Sequence, residues 1–149
     1  IPGWFAPVTI TGRVISAETG APLLAEELAA SESAQVRVRL GEGLAQGSAI
    51  DVVGLAPQLE KGTVDGALYL LQTWVADLIL QREAAVVRFH PARHRELAAL
   101  AAGTNLPQLF RYWQALGEMR RLAAHPLNAR LLYESLLISY AQCFTASRS

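Results

Sequence analysis

From Ala21 onward, apolar residues recur at helical spacing, punctuated by prolines, glycines and capping residues. The clearest segment is Thr63 to Arg82. At about 100° per residue, Ala67, Leu68, Leu71, Trp74, Val75, Leu78 and Ile79 fall on one broad face. Asp65, Gln72, Thr73, Asp77 and Gln81 fall mostly elsewhere, among the polar positions. Tyr69 and Leu80 are apolar and lie on the far side, so this predicted helix touches neighbours on two sides. Upstream, Ala21–Ala30 reads as a short helix with Pro22 in its first turn. A second helix, Ser33 to Ala45, carries Val36, Leu40 and Leu44, and Gly41, Gly43 and Gly47 weaken its end. Ser48 is placed to cap a helix from Ile50 to Lys61 that Pro57 shortens or kinks. Gly62 and Thr63 then form a stop and a start.

Val86 to Pro91 interrupts the helices as an extended or turn segment. A short helix from Arg93 to Ala102 stops at Gly103, and Thr104 or Asn105 caps the next. On that helix Leu109, Tyr112, Trp113, Leu116, Met119, Arg120 and Ala123 share a face. The joint His125-Pro126-Leu127-Asn128 is short, so the last two helices are predicted to fold back antiparallel, with Asn128 as the cap of the second. On the last helix Leu132, Tyr133, Leu136, Leu137, Tyr140, Cys143 and Phe144 fill one arc. Leu131 and Ile138 lie on a separate strip, at about 100° and 80° from Arg130, bordered by Glu134, Ser135 and Gln142. Two apolar strips imply two neighbours. The second is either another chain or the Arg93–Ala102 helix of the same chain.

The pattern predicts an all-α bundle of six or seven helices, with at most a short ribbon near Val86–Phe89. Residues 1–16 stand apart. Pro7 to Ile15 is β-branched and weakly alternating, an extended tail or the remnant of an upstream domain. The helical domain is drawn at residues 17–145, followed by a disordered tail at 146–149.

Composition narrows the function classes. A chain of 149 residues that is 52% apolar can build one core. Its net charge of zero argues against a protein whose main task is gripping phosphate. Cys143 is the single cysteine, which excludes an internal disulfide and suggests a reducing compartment. No apolar run reaches the roughly 20 residues of a membrane span. The start Ile1-Pro2-Gly3-Trp4 has neither an initiator methionine nor the pattern of a signal peptide, as expected of a fragment or processed chain.

Candidate chemistry is sparse. His90 and His94 are four apart, with His125 and Cys143 elsewhere, but His90 precedes a proline and no glutamate follows it as a general base. No metal site is assigned, and the histidines read as solvated. Cys143 reads as a buried, inert thiol. There is no G-x-S-x-G elbow and no phosphate loop, and Lys61, the only lysine, lacks the glycine spacing. Arg88, Phe89, His90, Arg93, His94 and Arg95 form a basic, partly aromatic cluster. That cluster supports the alternative reading, a helical nucleic-acid-binding domain with contacts at Arg88, Arg93 and Arg95. Arg120 stands in the middle of an apolar face and must reach solvent along its stem or pair with an acid. Glu134, about two turns from the joint on the facing helix, is its predicted partner.

The order of features resembles the C-terminal collar domain of the delta prime subunit of the bacterial DNA polymerase III clamp loader. Ser16 to Leu23 is similar to the small-residue turn that closes the family's second domain. Leu70-Leu71, Trp74, Asp77 and Leu78 resemble its "L…W…DLL" helix. Arg120-Arg121, Asn128, Leu131-Leu132, Glu134 and Leu136-Leu137 give the most specific match. The extended residues 1–15 depart from the family, which is helical there. The resemblance implies a cytoplasmic, non-catalytic assembly domain without a cofactor. It would form a five-membered collar with delta and the tau/gamma ATPase subunits and support sliding-clamp loading in replication. It would be no enzyme by itself, although part of a DNA-directed DNA polymerase. Leu131, Ile138 and Gln142 would then face another subunit. No tight duplex DNA binding is expected of the chain alone.

Overall fold

A computed structural model of the chain describes residues 21–122 and 128–144. The predicted tail at 1–16, Ala123, the His125–Leu127 part of the joint and the tail at 146–149 lie outside the described residues. These form six α-helices and two short 3-10 turns, with no strand. The helices are α1 (Ala21–Leu44), α2 (Val52–Leu59), α3 (Val64–Ala84), α4 (His94–Ala101), α5 (Leu106–Leu122) and α6 (Ala129–Gln142). The all-α prediction holds. By contacts the chain divides into two units, Ile1–Gln35 and Val36–Ser149. The described part of the first is the opening of α1, where Leu24 and Leu28 are exposed.

Two predicted boundaries are corrected. The segments drawn as Ala21–Ala30 and Ser33–Ala45 are one helix, because Ser31-Glu32-Ser33 contains no residue that breaks the ladder. Gly43 marks a close contact in that helix rather than its end. A Cβ there would sit 2.6 Å from Leu55 Cδ2, so only glycine lets α2 approach α1 this closely. The cap of α2 is Asp51, not Ser48. Its Oδ1 accepts from Gly54 N at 3.1 Å, and the preceding residues Gly47–Ala49 are spent in a 3-10 turn. The helix is short, eight residues with Pro57 inside it, and ends at Leu59, two residues after the proline.

Helix α3 is central to the second unit. Thr63 caps it, its hydroxyl accepting from Gly66 N at 3.0 Å. All seven residues of its predicted apolar face are buried. It packs against α4 and α5, while α6 packs against α2 and the Gly47–Ala49 turn. On α6, Tyr133, Leu136, Leu137, Tyr140 and Cys143 are buried, with Leu132 and Phe144 packed beside them. The predicted inner arc is therefore the one the core uses.

The Trp74 indole and the Tyr112 and Tyr140 hydroxyls inside this core are paired. Trp74 Nε1 donates to the Tyr140 hydroxyl at 3.0 Å, and that hydroxyl donates to the Leu44 carbonyl at 2.7 Å. One phenol thus joins α3, α6 and the end of α1. The Tyr112 hydroxyl donates to the Leu136 carbonyl at 2.7 Å, tying α5 to α6. Burial pushes both phenols well above the ordinary tyrosine value, so they remain neutral donors.

The Tyr140 junction gives a direct test. Tyr140→Phe keeps the ring and strands the Trp74 N–H and the Leu44 carbonyl in a dry core. The expected loss is about 2–4 kcal/mol, since each buried orphan costs about 1–3 kcal/mol. Urea unfolding reads it. A loss under about 1 kcal/mol would show that the junction does not hold the three helices.

Candidate interaction site

Helix α6 presents its second face outward. Asn128, in an extended conformation, opens the helix by accepting from Leu131 N through Oδ1 at 3.0 Å. That cap fixes the phase of the helix and so the direction of each side chain. Leu131 is 61% exposed and Ile138 48%. Neither is covered by α4, which excludes packing beneath that helix. Gln142 and Ser135 are exposed beside them, and Glu134 is half-buried. At the start of α6, Arg130 pairs with Glu60 at the end of α2. Burial, with the nearby Glu60 carboxylate adding to it, raises the Tyr133 phenol. Val53, on α2, is also exposed, at 78%.

Arg120 does not pair with Glu134. Its guanidinium reaches Asp65 at 3.1 Å, contacts Gln72 at 3.3 Å and lies 5.0 Å above the Tyr69 ring. The reason is which helices face each other. Arg120 lies on α5, whose packing partner is α3, the helix that supplies Asp65, Tyr69 and Gln72. Helix α6 follows α5 in sequence, but α3 is the neighbour this side chain meets. Both partners are substantially exposed, at 32% and 69% for the two side chains, so the pair contributes little stability.

The Arg88–Arg95 cluster is built around a residue that the periodicity had set on the polar side. Asp77 is fully buried. Its Oδ1 accepts from Arg88 N at 2.8 Å and Phe89 N at 3.1 Å; its Oδ2 accepts from His90 N at 2.8 Å and Phe89 N at 3.1 Å. Three successive backbone N–H groups thus cradle one carboxylate, a nest of oriented dipoles. The segment read as a ribbon is this irregular turn. Arg88 and Arg95 are exposed, whereas Arg93 bonds Glu96 at 2.8 Å and lies against Gly41.

His90 is not the solvated side chain expected. It is half-buried, its ring 5.5 Å from the Trp74 ring. Thr73 gives its one hydroxyl hydrogen to the Leu70 carbonyl at 3.0 Å. The 3.0 Å contact between His90 Nε2 and Thr73 Oγ is therefore donated by the imidazole, and Nδ1 is the nitrogen that titrates. Burial lowers the His90 pKa, Asp77 opposes that, and Arg93 adds to it. Among the described residues no group of three or more potential ligands could hold a metal. Cys143 is buried, its thiol pushed up to about 11 by burial, a poor nucleophile.

The family model described as DNA polymerase III, delta subunit, C terminal matches residues 32–142. The chain belongs to that family. It is a domain of a DNA polymerase III clamp-loader subunit, which accords with the clamp-loader part of the resemblance; the matching model is that of delta, a different subunit from delta prime. The match spans the last part of α1 through the end of α6, and so includes the Asp77 nest, the Tyr140 junction and the outward strip. No curated protein and no solved structure matches the chain. Among the described residues of this delta-family domain, no helix is long and apolar enough to cross a membrane.

Two expected outcomes follow from the Asp77 nest. Asp77→Asn replaces one acceptor oxygen by a donor facing N–H groups. The domain should lose about 2–4 kcal/mol, and the Arg88, Phe89 and His90 amides should exchange much faster while those of α6 hold. Unchanged exchange at those three amides would refute the nest as the anchor.

The lowered His90 pKa has a defined sign. The folded protein binds this proton less readily than the unfolded chain, so stability rises with pH. The contribution is complete above the ordinary histidine value of about 6.5 and is lost as the pH falls from there through the lower folded value. His90→Gln should flatten the urea midpoint against pH in that window. An unaltered slope would show that another group titrates there.

Proposed function

We propose that this domain is the collar piece of a delta prime subunit, a non-catalytic assembly module in the cytoplasmic clamp loader. Its partners in a five-membered ring would be delta and the tau/gamma ATPase subunits. The observation that carries the reading is the pair of exposed side chains Leu131 and Ile138 on a helix whose other face is spent in the core. An apolar strip of this kind suits a contact with an apolar helix of another chain. The absence of a phosphate loop in the sequence and the buried, unreactive thiol support a module that assembles rather than hydrolyses. The choice of delta prime rests on the residue pattern from Arg120 through Asn128 to Leu137.

Ile138→Glu tests the contact. A buried Leu or Ile contributes roughly 1.5–3 kcal/mol, about ten- to hundredfold in affinity. The variant should melt close to the parent, because Ile138 is exposed, yet assemble poorly with the other subunits in sedimentation. A large drop in melting temperature, or undiminished assembly, would overturn the interface. Assembly of the parent in place of delta rather than beside it would replace delta prime by delta.

A further inference from the structure

A second surface lies away from the α6 strip. A groove of about 970 Å³ runs along the outer side of α5 against Gln72 of α3. Gly117 forms part of its lining. A Cβ there would stand 3.2 Å from Gln72 Nε2, so the glycine keeps the groove open down to the neighbouring helix. Trp113 is 36% exposed in it, and Phe110, one turn before, is 42% exposed. Among the described residues, Arg111, Arg120 and Arg121 line it, against one acid, Glu118.

We propose that this groove docks an acidic amphipathic segment of a partner protein. The charge sets the choice. Among the described residues the lining carries three guanidinium groups; Glu118 and Asp65 offset two of them, so Arg111 leaves a positive surplus in a chain that is neutral overall. Arg111 has no acidic partner among the described residues. Arg121 holds Glu118 at 2.7 Å, with side chains 71% and 63% exposed, and Arg120 holds Asp65. Exposed pairs of this kind are weak, so an incoming carboxylate can exchange into them. The guanidinium fork accepts a carboxylate through two parallel hydrogen bonds. Trp113 offers apolar area with few rotatable bonds, and tryptophan and arginine are the residues on which interface affinity concentrates. Glu118 in the lining disfavours a phosphate backbone. The fitting partner is a helix with acids along one side and a leucine-like anchor on the other.

Fluorescence anisotropy with the full chain decides it. The probe is a fluorescein-labelled helical peptide with glutamates on one face and leucines on the other. Its lysine-for-glutamate counterpart and an oligothymidylate are run beside it. The acidic peptide should bind at least about tenfold tighter than either, and added salt should weaken it. The double variant Arg111→Glu, Arg121→Glu should abolish that preference, and Trp113→Ala should weaken binding without reversing it. Should the double variant fail to fold, Arg111→Gln with Arg121→Gln provides the same comparison. Equal binding of both peptides, tighter binding of oligothymidylate, or indifference to charge reversal overturns the proposal. None of these outcomes bears on the Leu131–Ile138 contact, which lies on another helix.

Discussion

The hydroxyl of Tyr140 is the point on which the packing of this domain depends. Helical bundles have no ladder of interstrand hydrogen bonds to fix how far one element slides along the next. Apolar faces alone tolerate sliding, since dispersion and burial are non-directional. A hydrogen bond between buried groups is not tolerant. Trp74 can donate only from Nε1, the Leu44 carbonyl can only accept, and one phenol between them satisfies both. Shifting α6 by a single turn, about 5.4 Å, would leave three polar atoms in the core without partners. The ring itself packs edge-on against Phe144, at 5.1 Å. Position is thus set by polar atoms and affinity between helices by apolar ones.

The same division appears at the other buried polar centre. Asp77 faces a turn whose backbone N–H groups would otherwise have no helix or strand to receive them. The carboxylate supplies the acceptors, and the turn from Val86 to His90 is shaped around it. His90 follows from that shape, because its own N–H is held by Asp77 while its ring lies on Trp74. Trp74 and Asp77 are three residues apart on α3, on neighbouring lines of one helix. One side of α3 therefore orients α6 and positions the irregular turn before α4.

Much of this was legible in the residues. Periodicity identified the buried face of α3 and the inner arc of α6, and capping chemistry marked Thr63 and Asn128. The outward strip of Leu131 and Ile138 followed from the same wheel. What a wheel cannot give is the identity of the neighbour. Arg120 was correctly set on an inward-facing side of α5, but its acid came from α3, not from the next helix in sequence. Asp77 was placed with the polar residues because its partners are backbone amides, which carry no side-chain signature. Its place in the "L…W…DLL" resemblance and its spacing of eleven to thirteen residues from a proline-terminated turn were the available hints. The groove on α5 was missed because Trp113 was counted with the core face. Trp113 stands at the edge of that face, where a large side chain can point either way.

The two outward surfaces differ in physical character, and this constrains how they can work together. The α6 strip is apolar and bordered by neutral or half-buried groups. Contact there gains from water release and is nearly indifferent to salt. The α5 groove couples aromatic area to guanidinium groups, so contact there weakens as salt rises over a screening length of about 8–10 Å. Apolar contacts of the first kind suit a permanent neighbour, because loss of buried area shows chiefly in the dissociation rate. Charged contacts of the second kind suit a partner that arrives and leaves, because complementary fields act mostly on the encounter. A domain that both holds its place in an assembly and receives a transient partner needs the two on different helices, so that engaging one leaves the other free. The division between α6 and α5 would meet that requirement if both proposed contacts form.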